Sequence, residues 1–219
     1  DETNKHLTHL DELILVKGHQ GGEKTIDYIR RLLDLLQGHT DQKINTTVKV
    51  DGAPAIVCGL DSTGKFFIGT KSVFAKAPKM NYSVEDIRKN HGDAPGLVEK
   101  LVYAFDVLKR VKFDGVYQGD LLFWPGLVQN YKIDGESYIG YRPNTILYTI
   151  RADSSEAKNI LASKIGVCFH TKYTSTRDEE GNNRFVNKQF GIRVDHLQAP
   201  GAYINCLLYT SPSPRDATL

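Results

Sequence analysis

Lys49-Val50-Asp51-Gly52 sets an amine two residues before a carboxylate and three before a glycine. An amine so placed can attack the α-phosphorus of a nucleoside triphosphate if it is neutral, whereas a free lysine with pKa about 10.4 is almost wholly protonated at pH 7. A buried strand position, a nearby cation or a bound metal would each favour the neutral form. On a strand, Asp51 lies on the same face as Lys49 and can orient the site. Gly52 lets a ligand approach the backbone closely. Four residues are a short motif, and Asp-Gly is also a common turn signal, so the elements around them decide.

Those elements read as strands. Thr46-Thr47-Val48 precedes the tetrad and Ala55-Ile56-Val57-Cys58 follows it; Asp61-Ser62-Thr63-Gly64 is a turn, and Lys65-Phe66-Phe67-Ile68-Gly69-Thr70-Lys71 is the returning strand.

This layout resembles the adenylation domain of ATP-dependent DNA and RNA ligases and capping enzymes, in which the lysine precedes an antiparallel hairpin. The resemblance implies an α+β fold: an antiparallel-sheet, ATP-grasp-like nucleotidyltransferase domain with flanking helices. Lys49 would be the nucleophile and Asp51 would orient it or the metal. Thr70-Lys71-Ser72 stands where those enzymes carry a Ser/Thr-Arg pair, so Lys71 is the candidate phosphate contact, as a point charge rather than a bidentate fork. Gly115-Val116-Tyr117-Gln118-Gly119-Asp120-Leu121-Leu122-Phe123 occupies the place of a short strand ending in an acidic residue, typically Asp-Gly-Glu. Its Asp120, 71 residues after Lys49, would support ribose or metal. Tyr148, within Asn144–Ile150, would stack on the purine, and Gly52 would border the nucleotide. The same resemblance implies ATP (GTP possible) and Mg2+, with DNA or RNA ends as partners of a monomer. Lysyl-AMP would form first, and the nucleotide would then pass to a nucleic-acid 5′-phosphate.

Two elements of that family are not found. Glu180-Gly181 runs into Asn182-Asn183, which reads as a solvated turn rather than a Glu-Gly-apolar strand. Lys188 stands alone, and Lys164 and Lys172 flank the strand Ile165–His170 without a Lys-x-Lys pairing. The alternative is a non-catalytic phage accessory or structural binding protein that keeps a related fold. Residues from His6 to His170 also resemble a family of tailed-phage proteins with no assigned activity, on segments that include Val48–Val57, Phe66–Phe74, Tyr117–Leu122 and Ile165–Thr171. That resemblance implies a phage protein in the cytoplasm of the infected host.

Cys206–Asp216 reads as the translation of a sequencing-library transposon adaptor. It is set aside from the fold, leaving residues 1–205 as one domain that is incomplete at its C-terminus.

The 219 residues carry a net charge of +2 and are 40% hydrophobic, which suits one soluble core and does not by itself announce nucleic-acid binding. Cys58 and Cys168 fall on strands without a Cys-x-x-Cys pattern and read as reduced, buried thiols. His6 and His9 are spaced i, i+3 with no acidic third ligand, and His91 reads as a loop or capping residue. No apolar run approaches the roughly 18 residues of a membrane span.

Ile26, Ile29, Leu32, Leu33 and Leu36 recur at helical spacing before Gly38, which predicts a helix that covers the sheet. Ser83-Val84-Glu85-Asp86 reads as a helix start of capping-box type. Leu97, Leu101, Phe105 and Leu108 predict a second helix opened by Pro95. Beyond it, Pro125-Gly126, Asp134-Gly135 and Arg142-Pro143 punctuate short strands, favouring mainly antiparallel sheets. The basic stretch Lys71–Lys79, with Phe74 inside it, reads as a surface loop that could meet a nucleic-acid end.

Overall fold

A computed structural model of the chain describes residues 18–20, 22, 23, 25–27, 29, 30, 33, 53–144 and 146–206. The chain divides into two units, Asp1–Thr46 and Thr47–Leu219. In the first, the described residues are helical, as the spacing predicts. Ile26, Ile29 and Leu33 there are 52%, 43% and 50% exposed, so at these three positions the apolar stripe is not core. Lys49, Asp51 and Gly52, and the expected strand Thr46–Val48, lie outside the described residues.

The second unit is α+β. In order it holds β1 (Ala55–Leu60), β2 (Phe66–Gly69), a 3-10 turn (Lys71–Phe74), α1 (Val84–His91), α2 (Pro95–Leu108), β3 (Val116–Phe123), β4 (Gln129–Ile133), β5 (Glu136–Tyr141), β6 (Tyr148–Arg151), α3 (Ser155–Leu161), β7 (Ile165–Arg177), β8 (Asn183–Phe190) and β9 (Ala202–Ile204). One sheet runs β2-β1-β3-β7-β8, with β9 also paired to β7; the other runs β4-β5-β6. All pairings are antiparallel except β7 with β9.

Local chemistry explains the elements. Asp134 and Gly135 have φ of 51° and 83°, which a two-residue hairpin loop between β4 and β5 requires. The Ser83 hydroxyl accepts from Asp86 N–H at 3.1 Å, while Asp86 accepts from Tyr82 N–H at 2.9 Å. The box is therefore reciprocal, with the aspartate serving the residue before the cap. Pro95 opens α2, whose Leu101, Ala104 and Leu108 pack with Ile56, Tyr117 and Leu121 in the largest apolar cluster. Burying each such leucine contributes roughly 1.5–3 kcal/mol.

Three expectations are corrected. The returning strand stops at Gly69, and Lys71 opens the 3-10 turn instead of ending a strand. Thr70 caps that turn by accepting from Ser72 N–H at 3.2 Å. A Cβ on Gly69 would lie 2.5 Å from Val73 Cγ1 and 2.9 Å from the Lys79 carbonyl oxygen, so only glycine lets the turn fold back there. The strand expected at Ile165–His170 continues to Arg177 and returns as β8, and the expected Asn144–Ile150 strand narrows to β6. Past His170 the strand is polar and only partly buried, so it lacks the apolar run that announces a core strand.

Candidate functional site

Every residue of β3 is buried, because β3 lies between β1 and β7 in the large sheet. Asp120 sits on it opposite Ala55 of β1 and Cys168 of β7. A carboxylate there needs compensating chemistry, since an isolated buried charge is costly. Beside it the β3–β7 ladder breaks register. Gln118 faces Thr171 and the next residue, Gly119, faces Phe169, so His170 is an extra, bulged residue. A Cβ on Gly119 would lie 2.2 Å from the Cys168 carbonyl oxygen, so this close approach of the two strands depends on glycine.

The bulge brings His170 Nε2 to 3.7 Å from Asp120 Oδ2, which is an electrostatic contact rather than a hydrogen bond. His170 Nδ1 lies 2.7 Å from Thr171 Oγ1. Both residues are buried. Burial, with Lys71 and Lys188 adding repulsion, pushes the His170 pKa down to about 4. The imidazole is thus neutral at pH 7. The charges around it are therefore one carboxylate and two ammonium groups.

Lys71 reaches this region from the start of the 3-10 turn. Lys188 arrives from an irregular part of β8: Lys172 pairs with Gln189 but Thr174 with Val186, and Asn187 adopts φ of 53°. Burial lowers the pKa of Lys188, the direction that favours the neutral amine.

Tyr148 is buried at the start of β6, opposite Tyr141, and the rings stack with centroids 5.6 Å apart at 23°. They belong to a second apolar cluster with Leu122, two residues after Asp120 on β3, and Cys168, opposite Asp120 on β7. Ala53, which follows Gly52, packs against the same cluster. The Pro54 carbonyl accepts from Leu121 N–H at 2.9 Å. The described chain therefore enters β1 beside both Asp120 and the Tyr148 cluster.

Of the residues expected from sequence, Asp120 contacts His170, Lys71 is close enough to repel its protonated form, and Tyr148 lies in the adjoining cluster. His170 and Lys188 were not assigned. Neither fits a short motif: His170 owes its place to a bulge, and Lys188 to an irregular edge strand.

Among the described residues no group of three or more His, Cys, Asp or Glu side chains could hold a metal. Asp120 alone does suit Mg2+, which often takes one or two carboxylates and completes its shell with phosphate oxygens and water. His91 is buried and lies 3.2 Å from Asn81 Nδ2 through Nε2, a structural contact. The cysteines are free, with Cys58 and Cys168 buried as expected, and burial pushes the Cys58 thiol up. Cys206, the first residue of the adaptor-like segment, donates its thiol to the Phe169 carbonyl at 2.9 Å. No helix among the described residues is long and apolar enough to cross a membrane.

The chain belongs to a family of unknown function (DUF6267), which matches residues 4–210. No curated protein and no solved structure matches it.

Proposed function

We propose that this protein is an ATP-dependent nucleotidyltransferase of the nucleic-acid ligase type, with Lys49 as the residue that takes the nucleotide. The observation that carries this reading is the buried contact of Asp120 with a neutral His170 on which Lys71 and Lys188 act, with Asp120 on β3 opposite the start of β1, the strand that follows Lys49-Val50-Asp51-Gly52 in sequence.

The neutral Lys49 amine attacks the α-phosphorus, an N–P bond forms, the bond to the bridging oxygen breaks, pyrophosphate leaves with its electron pair, and the nitrogen releases its extra proton to water. Lys71 and Lys188 offset the negative charge of the phosphates, an electrostatic role of the kind that dominates phosphoryl transfer. Asp51 orients Lys49. Asp120 holds the ribose or the metal, and His170 remains uncharged beside it. Asp120 would be the residue to hold Mg2+, which when bound would offset charge on the triphosphate. Gly52 and Tyr148 border the nucleotide. The nucleotide then passes to the 5′-phosphate of a DNA or RNA end.

The test is incubation of initially unadenylated protein with α-labelled ATP or GTP and magnesium, beside Lys49→Ala, followed by denaturing gels and peptide mapping. Label on Lys49 that is absent from the variant is the expected result. Folded wild-type protein that takes no label from either nucleotide sinks the enzyme reading and leaves a binding role.

A further inference from the structure

The basic Lys71–Lys79 segment and the outer edge of the sheet meet along β8. At one end of β8, Phe190 is 53% exposed. It pairs with Thr171, the neighbour of His170, and Lys188 Nζ lies 5.0 Å from its ring centroid. At the other end a cavity of about 550 Å3 opens between residues 76–82 and the β7–β8 turn, lined by Lys76, Tyr82, Arg177, Glu180, Asn183 and Arg184 among others. Three cations thus stand against one carboxylate in its wall. Arg177 is steadied by Nε donation to Ser62 Oγ at 3.1 Å, and Arg184 by Asp178 at 2.5 Å. The five residue steps from Asn183 to Lys188 span about 16 Å of strand.

We propose that this edge binds single-stranded nucleic acid, with backbone phosphates in the cavity at Lys76, Arg177 and Arg184 and a base on the Phe190 ring. Cations that follow a backbone, together with an exposed ring that accepts any base, are what sequence-tolerant single-strand binding requires. A lone small anion would need neither the length of the tract nor the ring. The inference rests on the nucleotidyltransferase reading for its polarity: the 5′-phosphate lies toward His170 and Lys188, and the rest of the strand runs to the arginines.

The experiment is fluorescence anisotropy of 5′-phosphorylated single-stranded 20-mers, DNA and RNA, with the full chain over a salt series. Arg177→Gln/Arg184→Gln is expected to weaken binding at least about tenfold near 0.1 M salt and to lower the salt slope by about two. Phe190→Ala is expected to weaken binding about tenfold with the slope unchanged. Arg177→Lys/Arg184→Lys keeps the slope, and Lys132→Gln on β4 changes nothing. Circular dichroism confirms folding; should the double glutamine variant not fold, Phe190→Ala and the lysine pair carry the test. Equal binding by wild type and variants overturns the proposal, as does no binding at all. Equally tight binding of poly-glutamate overturns it in favour of an acidic protein partner. Self-labelling at Lys49 is measured in parallel. Labelling without strand binding removes this inference and leaves the enzyme reading, whereas arginine-dependent strand binding without labelling does the reverse.

Discussion

His170 offers the sharpest test of how the buried cluster is held. In the unfolded chain its imidazole takes up a proton near pH 6.5, whereas in the fold burial, Lys71 and Lys188 delay protonation to about pH 4. Between these values the unfolded state binds more protons, so stability must fall as pH drops through 6.5 and continue falling until about 4. With those two pKa values, the linkage integral gives a loss of about 2 kcal/mol between pH 7.5 and pH 5, and about 3 kcal/mol once the folded group also titrates. Replacing His170 with glutamine removes this titration. The assay is urea unfolding of wild type and His170→Gln at pH 7.5 and pH 5, comparing the two pH-dependent losses so that other titrating groups cancel. The wild type should lose about 2 kcal/mol more than the variant, within the factor of a few that attaches to such shifts. Equal losses in both proteins, or an imidazole resonance that titrates near 6.5 in the folded wild type, would refute the placement of His170 beside the two lysines in a dry site.

Two further perturbations probe the frame. Gly119→Ala pushes a methyl group into the Cys168 carbonyl, 2.2 Å from its built position; urea unfolding should show a cost of about 1–3 kcal/mol, and the His170 pKa should move toward its ordinary value as the strands separate. Asp114 accepts from Tyr117 Oη and from Lys172 Nζ at 2.8 Å, and lies 3.3 Å from His196 Nε2. Desolvation opposes ionisation there, but hydrogen bonds from Lys172, Tyr117 and His196 together hold Asp114 well below the usual carboxylate range. Its contribution is present above about pH 4 and is lost as pH falls below it. The carboxylate is half exposed, so Asp114→Asn should cost only about 1 kcal/mol at pH 7; chemical denaturation should show a smaller loss between pH 5 and pH 3 than in the wild type.

The parts of this fold that could be read from sequence are those whose signal is local. Pro95 and the Leu97–Leu108 spacing specify α2 because a helix's partners lie three and four residues away. Asp134-Gly135 specifies its hairpin because positive φ is demanded of those two residues alone. Asp120 was legible as the acid of the strand Gly115–Phe123, although it lies within β3 rather than at its end. His170 and Lys188 were not, because their positions depend on how strands far apart in sequence fall out of register. The same dependence shapes the chemistry. A regular β3–β7 ladder would leave no extra residue at 170, and the contact between Asp120 and His170 would go with it. Since the bulge requires Gly119 to pass close under the Cys168 carbonyl, the residue that best reports the site is a glycine with no chemistry of its own. If Gly119→Ala left the His170 titration untouched, the argument that strand register builds this cluster would fail even with the protein fully folded.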